Sequence, residues 1–432
     1  MYYFIGIKGT GMSALAVILK QLGYDVCGSD IEKHFFTESE LIRNHIPFLG
    51  YCADNIHEGY TIIKGASIKE DNVELVRARE LNLKIYEYNE MVGKLTQQFK
   101  TICIAGCHGK TTTTNMMALA FRDEGINYLI GDGTGCGDAK NTYFALESCE
   151  YQRHFLAYHP YIAVITNIDL DHVDYYKDID DVVDAYTSYA NLATKVVIAY
   201  GDAPYTRTMK LTKPVIYFGL RDNNDVQAKN VIYSKEGISF DIEGYGHFDL
   251  PLYGHHQLLD ALAVITVAKE EKLSFEEVNR NLKQFHGAKR RFTETKVGNN
   301  IIIDDYAHHP NEVKATIDAI KQKYPEKHFV IIFQPHTFSR TKEFAKDLVV
   351  VFKEADQSYI LPIHPAREKQ EDYKDVTSHL IIDNLDTAHA LTLSDAKVLS
   401  QYDNTVFAFM SPNDIHSLED ELKNLLLEKE KK

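Results

Sequence analysis

The chain has 432 residues, 44% of them hydrophobic and 25% charged, and its formal net charge is −15. At about 150 residues per domain this length predicts three domains, with enough apolar material for several cores. The acidic balance argues against non-specific binding to nucleic acid or to an anionic membrane, so an anionic substrate must meet local positive groups. No apolar run approaches the roughly 18 residues of a membrane span, and Met1 leads straight into a strand pattern, which together predict a cytoplasmic protein. The six cysteines (Cys27, Cys52, Cys103, Cys107, Cys136, Cys149) show no C-x-x-C spacing and read as reduced thiols.

In the first third, Tyr2 to Ile7 reads as a strand, and Gly6-Ile-Lys-Gly9-Thr10-Gly11-Met12 as a glycine-rich turn into a helix from Ser13 to Leu22. A second strand begins at Asp25 to Cys27 and ends at Gly28-Ser-Asp30. This is a βαβ opening with an acid about where a Rossmann unit places its ribose contact. The glycine order is G-x-x-G-x-G rather than G-x-G-x-x-G, so a nicotinamide dinucleotide, a non-redox nucleotide diphosphate and a plain tight turn all remain open. Further alternation at Thr61 to Lys64, Val73 to Leu81 and Lys84 to Tyr86 carries this domain to about Gln97.

The central third holds the strongest local signal. Ile102 to Ala105 is an apolar strand, Gly106 and Gly109 break it, and Thr112 to Arg122 reads as a helix. Strand, glycine turn, Lys-Thr and helix make the anatomy of a phosphate-binding loop rather than an ordinary turn. Glycines let backbone N–H groups close on phosphate oxygens, Lys110 adds a positive charge, and the Thr111 hydroxyl can ligate Mg²⁺. The loop departs from G-x-x-x-x-G-K-[ST] at Ile104, where that pattern wants its first glycine.

A second glycine-rich segment, Gly131 to Gly137, follows a strand at Asn127 to Ile130. Two further strands end in polar clusters: Tyr143 to Leu146 in Glu147-Ser-Cys-Glu150, and Tyr161 to Asn167 in Ile-Asp-Leu-Asp171-His172-Val-Asp174. Ligands gather at strand ends in open α/β sheets. Thr111 and Glu147 are therefore expected to hold one Mg²⁺ and His172 to complete a second ion, while Asp169 and Asp174 read as helix caps or solvated turns. Next come a helix at Asp181 to Leu192, a strand at Lys195 to Tyr200 and a hairpin pattern from Val231 to Leu252 turning at Glu236-Gly237 and Tyr245-Gly246. Helices at His256 to Lys272 and Ser274 to Phe285 lead to Lys289-Arg290-Arg291-Phe292. The paired arginines mark either a domain hinge with a phosphate contact or a solvated basic turn.

In the last third, strands at Asn300 to Asp304, His328 to Gln334, Gln357 to Leu361 and Val406 to Met410 alternate with helices at Pro310 to Lys323, Thr341 to Glu354 and Asp414 to Glu428. This predicts another βαβ domain. Histidines and arginines again follow strands, at Tyr306-Ala-His308-His309, His336-Thr-Phe-Ser-Arg340 and His364-Pro-Ala-Arg367, and suit a small anionic substrate.

In this order, GIKGTGMSALA (6–16), GSD (28–30), GCHGKTTTT (106–114), LIGDGTG (129–135), ESCEY (147–151), TNIDLDHVDYY (166–176), KRRFTE (289–294), DDYAHHPNE (304–312), FQPHTFSRT (333–341) and PAREK (365–369) resemble the motifs of the Mur ligase family. The resemblance spans essentially the whole chain and is strongest to the alanine-adding branch. It implies an α/β fold of three domains: a Rossmann-like UDP-sugar domain over 1–97, a P-loop-type ATPase with a parallel sheet over 98–292, and a Rossmann-like amino-acid domain over 293–432. It further implies ATP-dependent joining of L-alanine to the lactyl carboxylate of UDP-N-acetylmuramate through an acyl phosphate, in peptidoglycan precursor synthesis, with Mg²⁺, by a monomer or weak homodimer. Carried over by position, Lys110, Glu147, His172 and Arg291 are implied to be catalytic, with Thr111, Glu147 and His172 on the metal. Gly106, His108, Gly109, Lys110, Thr111, Thr112, Gln257, Asp260 and Arg291 fall on the ATP side. Gly6, Gly9, Thr10, Gly11, Met12, Asp30 and His108 fall on the UDP-sugar side, and Tyr306, His308, His309 and Arg340 on the amino-acid side.

Several positions depart from the family pattern. Gly-x-His-Asn-x-x-Asn, whose asparagines read adenine, appears as Gly254-His-His256-Gln257-Leu-Leu-Asp260. Asp260 can only accept, so it either faces adenine and forgoes one of the two hydrogen bonds or turns to solvent and leaves Gln257 to read the base. Cys149 replaces a carboxylate, Met410-Ser-Pro-Asn-Asp414 replaces a glycine-rich loop, and Thr337 stands where some members have arginine. The alternatives are a related ligase for another amino acid or a recycled peptide, a catalytically altered nucleotide-binding relative, and a dinucleotide oxidoreductase. The last leaves the Lys110 loop unexplained.

Overall fold

The computed structural model describes residues 1–172, 175–288, 290–413 and 415–431. They divide into two compact units, one of Met1–Asn230, Phe240–Phe248 and Leu259–Phe285, the other of Val231–Ser239, Asp249–Leu258 and His286–Lys432.

In the first unit, a five-stranded parallel sheet runs in the order Phe48–Leu49, Val26–Ser29, Tyr2–Ile5, Thr61–Lys64, Lys84–Glu87. The helix Thr10–Gln21 begins three residues before the expected Ser13, because Gly9 already serves as its N-cap. Every residue from Met12 to Leu19 is buried, so this helix is enclosed rather than amphipathic. It packs against the short strand Gly135–Cys136, where Gly135 and Gly137 leave room for its backbone at Ala14 and Ile18.

The second sheet has parallel neighbours in the order Val215–Gly219, Val196–Tyr200, Ile162–Ile165, Lys100–Ala105, Tyr143–Glu147, Ile126–Leu129, with Gly135–Cys136 antiparallel at one edge. The middle strands are continuous apolar runs because helices cover both faces. At the other end the sheet continues into the meander Val226–Tyr233, Ile238–Ile242, Gly246–Leu250. Its first turn falls at Gly237 as expected, but the second turns at 243–245 on Gly244, at φ +67°, so that Gly246 already begins the last strand, and the first strand starts five residues before the expected Val231.

In the second unit, a six-stranded sheet runs Thr293–Val297, Asn300–Asp305, Thr405–Met410, His328–Phe333, Gln357–Ile360, Ala388–Ala390. All pairs are parallel except the hairpin at the Thr293 edge. Alternation sorts the side chains. Ile301 and Ile303 join the core under the helices Pro310–Lys323 and Phe338–Phe352, while Ile302 joins the opposite core with Leu418, Leu422 and Leu426 of His416–Glu430. The fold is thus α/β, with the Lys110 loop and both polar strand ends in the first unit. Among the described residues no helix is long and apolar enough to cross a membrane.

Candidate active site

The strand Lys100–Ala105 ends at Gly106, whose φ of +154° and contact with the Thr166 hydroxyl leave no space for a side chain. Gly109, at φ +82°, opens the helix Lys110–Ala120, whose N-terminal amides and dipole favour an anion. The loop between them is braced from the next strand end. The Asn167 Oδ1 accepts from His108 N at 2.9 Å, and the His108 carbonyl accepts from Asn167 Nδ2 at 2.8 Å and Thr166 Oγ1 at 2.7 Å. The His108 ring lies 3.7 Å from Asp169.

Lys110 Nζ donates to the Gly106 carbonyl at 2.5 Å and lies 2.9 Å from Glu150, which is buried. Burial alone would lower the lysine's pKa, but the Glu150 carboxylate more than offsets it and holds Lys110 well above its usual range. Burial likewise opposes the charge of Glu150, yet Lys110 and then His172 keep its carboxyl below the ordinary value. His172 Nε2 stands 3.4 Å from Glu150, with its own backbone left-handed at φ +52°. Lys110, Glu150 and His172 therefore form one charged cluster.

A second cluster lies on Glu147 at the end of Tyr143–Glu147. Its Oε1 accepts from Thr111 Oγ1 at 3.1 Å and its Oε2 from Gly131 N at 2.7 Å, so one carboxylate joins the Lys-Thr loop to the second glycine-rich segment. Thr111 and Glu147 are hard oxygen donors side by side, a set that suits Mg²⁺.

Asp260 settles one of the alternatives left open by the sequence. It does not turn to solvent: it is 4% exposed, its Oδ1 accepts from Thr113 Oγ1 at 3.0 Å, and it packs directly against Gly109. The carboxylate braces the start of the phosphate-loop helix. Gln257 is also buried, and its amide oxygen accepts from Tyr253 N at 3.1 Å.

At the first glycine turn, Gly6 adopts φ +87° and Ser29 O accepts from the Gly6 and Ile7 amides at 2.9 and 3.0 Å. Asp30 closes the turn, accepting from Lys8 N and Ile31 N, each at 2.8 Å. The Lys8 ammonium is turned away to Glu38 at 2.8 Å and to the carbonyls of Ile31 and Lys33. Thr10, Gly11 and Met12 form the first turn of the helix above it.

In the second unit, the arginine pair divides its contacts. Arg290 donates to the carbonyls of Ser411 and Asn413 at 2.8 and 2.9 Å, whereas the Arg291 guanidinium lies 4.9 Å over the Tyr306 ring and 3.7 Å from Glu312. His309 is buried and caps Pro310–Lys323, its Nδ1 accepting from Asn311 N, while Glu312 accepts from the His308 and His309 amides. His308 stands edge-on to His336, which stacks on His364, and Arg340 Nη1 lies 3.3 Å from His336 Nδ1. Burial first, then His308 and Arg340, push the His336 pKa down to about 4, so the ring is neutral at pH 7. Asp305 is buried beside them and accepts from Phe292 N and Ala307 N, each at 2.8 Å.

Sequence reading missed three members of the first cluster's frame: Glu150, Thr166 and Asn167. Glu150 was visible only as a second carboxylate three residues beyond Glu147. Asp174, read from the sequence as a cap or solvated turn, Asp414, read as the first residue of the last helix, and Lys289 lie outside the described residues.

Comparison with known proteins accounts for the whole chain. Residues 1–100 match the model described as Mur ligase family, catalytic domain, residues 104–268 the Mur ligase middle domain, and residues 290–407 the Mur ligase, glutamate ligase domain. The chain is 46% identical over 433 aligned residues to a UDP-N-acetylmuramate–L-alanine ligase of Lacticaseibacillus paracasei, covering 99% of each. It is 44% identical over 427 residues to the one of Lactiplantibacillus plantarum, covering 97% of each. The solved structure of the UDP-N-acetylmuramate-alanine ligase MurC of Thermotoga maritima superposes with a TM-score of 0.81 at 25% identity, over 100% of this chain and 99% of that one. Its two glycine loops, its charged strand ends and its full-length relatives agree: the chain belongs to the Mur ligase family.

Proposed function

We propose that this protein joins L-alanine to the lactyl carboxylate of UDP-N-acetylmuramate while converting ATP to ADP and phosphate. The observation that carries the reading is the pair of clusters at the Lys110 loop, supported by full-length relatives that bear this activity's name. Condensing a carboxylate with an amine in water is uphill. The carboxylate oxygen therefore first takes the γ-phosphoryl group of ATP, releasing ADP, and the alanine amine then attacks the acyl carbon and expels phosphate with loss of a proton.

Most of the work is positioning and charge neutralisation. Amides from Gly106 to Thr112 cradle the phosphates, His108 among them, and Lys110 shifts its ammonium from Glu150 toward the β- and γ-phosphoryl oxygens. Thr111 and Glu147 would hold Mg²⁺, with His172 at a second ion; the metal would neutralise phosphate charge. Asp260 braces the loop through Thr113, which leaves Gln257 as the candidate on the adenine side. Gly6, Gly9, Thr10, Gly11 and Met12 receive the UDP diphosphate, and Asp30 keeps that turn closed. In the second unit, Arg291 is assigned to the transferring phosphoryl group, and Tyr306, His308 and Arg340 to the amino acid. His309 orients His308 by capping the helix behind it. The family boundaries support domains over 1–97, 98–292 and 293–432.

Phosphate release by the purified protein with ATP, UDP-N-acetylmuramate and single amino acids tests this. Release is expected with L-alanine above all others. Release with a different amino acid or only with a peptide would establish the related-ligase reading, to which the sequence departures at Thr337 and Ser411 to Asn413 point.

A further inference from the structure

Outside these clusters, Tyr88 is the first residue of the helix Tyr88–Thr96. Its ring is partly buried against the main core of the first unit, and its hydroxyl lies beside Gly11 of the first glycine turn. A methyl group on Gly11 would lie 2.7 Å from Tyr88 Oη and 2.8 Å from Cζ, so the phenol occupies the space a side chain at position 11 would fill. Burial raises the phenol's pKa, and the nearby Cys149 and Glu147 raise it further, which keeps the group protonated and able to donate. Its hydroxyl has no hydrogen-bond partner among the described residues. The residue is partly buried, which leaves this hydroxyl available to a ligand at the turn.

The position defines that partner. One side of the phenol is Gly11, in the first turn of a helix whose amides face an anion. The other side is the strand end that carries Glu147. A UDP-sugar seated on the glycine turn with its lactyl carboxylate directed at the Lys110 loop has to pass this hydroxyl. We propose that Tyr88 is a substrate-binding residue whose hydroxyl donates a hydrogen bond to the diphosphate of the UDP-sugar on the Gly6–Gly11 turn. This rests on the UDP-sugar reading above, and it adds a contact contributed from outside the glycine turn and its helix.

Calorimetric titration of wild type and Tyr88→Phe with UDP, UDP-N-acetylglucosamine and UDP-N-acetylmuramate tests it, with ATP titrated alongside. The variant keeps the ring and its packing. All three UDP ligands are expected to bind about tenfold more weakly, the scale of one hydrogen bond to a charged acceptor, with ATP affinity and melting temperature unchanged. Unchanged UDP-ligand affinity would overturn the proposal. A loss confined to UDP-N-acetylmuramate would place the contact on the muramoyl group instead, and a loss shared by ATP would make Tyr88 a packing residue. Failure of the wild type itself to bind any UDP ligand would overturn the functional reading, and this inference with it.

Discussion

Lys110 and Glu150 are an ion pair with side chains 15% and 2% exposed, and such a pair is far more sensitive to losing one partner than to being present at all. Glu150→Gln leaves the lysine without a full counter-charge and is expected to cost on the order of 3 kcal/mol of stability. Because phosphate oxygens would supply the missing anion, ATP or ADP should restore more of the melting temperature in the variant than it adds to wild type. Thermal melts with and without nucleotide decide this; equal increments would remove Lys110 from the phosphates. Asp260 makes a second residue-scale case. Alanine there deprives Thr113 of its acceptor and loosens Gly109, which should raise the KM for ATP about five- to tenfold, the scale of one buried hydrogen bond. Asparagine keeps an acceptor oxygen and should stay within about threefold of wild type. A several-fold fall in KM with Asp260→Asn would instead place the carboxylate against the base.

Among elements, the helix Thr10–Gln21 is the one with least tolerance. It presents the glycine turn on one end and packs its backbone on Gly135–Cys136 with only glycine between. A Cβ at Gly135 would stand 2.5 Å from the Ala14 carbonyl oxygen and 3.1 Å from Ile18 Cγ1, and a carbonyl inside a helix cannot step aside. Gly135→Ala is expected to destabilise the protein by about 1–3 kcal/mol, the usual cost of overpacking, and to weaken UDP-ligand binding by displacing the turn. Gly50→Ala, where nothing lies within 4 Å, serves as the control and should melt like wild type. Equal melting curves for the two variants would show that the helix can shift away from the strand. The helix Phe338–Phe352 shows the opposite strategy. Thr337 holds φ +65° and Glu368 accepts from the amides of Phe338 and Ser339, so a carboxylate thirty residues away fixes where this helix starts, three residues before the expected Thr341.

At the scale of the molecule, pH separates the two units. In the second, His336 and His256 are both held near pKa 4, in each case chiefly by burial. Both are neutral in the fold, whereas an unfolded histidine titrates near 6.5, so the unfolded chain binds more protons between those values. Their contribution is therefore complete above about pH 6.5 and is lost as pH falls toward 4. Both rings are partly exposed, so the loss is expected to be about 1–2 kcal/mol each rather than the full linkage value. His336→Asn should flatten the acid side of the stability profile measured by urea denaturation between pH 4 and 7. An unchanged slope would mean that His336 already titrates normally. In the first unit the central charged pair, Lys110 and Glu150, holds each other ionised over the same range.

Local pattern was enough for much of this protein. The helix Pro310–Lys323 and the strand Thr61–Lys64 have the bounds their sequence predicts, because a proline or glycine punctuates each run and period 2 or 3.6 is a nearest-neighbour property. The phosphate loop was legible for the same reason: its glycines, lysine and threonine all fall between positions 106 and 111. The strands Val215–Gly219 and Thr293–Val297 were not, the first because it follows Pro214 directly, the second because its residues are mostly polar at a sheet edge. What only the tertiary structure decided was partnership between distant segments. Glu150 reaches Lys110 across 40 positions, Asp260 reaches Thr113 across 147, and Tyr88 lies on Gly11. No spacing in the chain encodes these contacts, because strand order and helix packing bring the residues together, and their burial then fixes which charges must be paired.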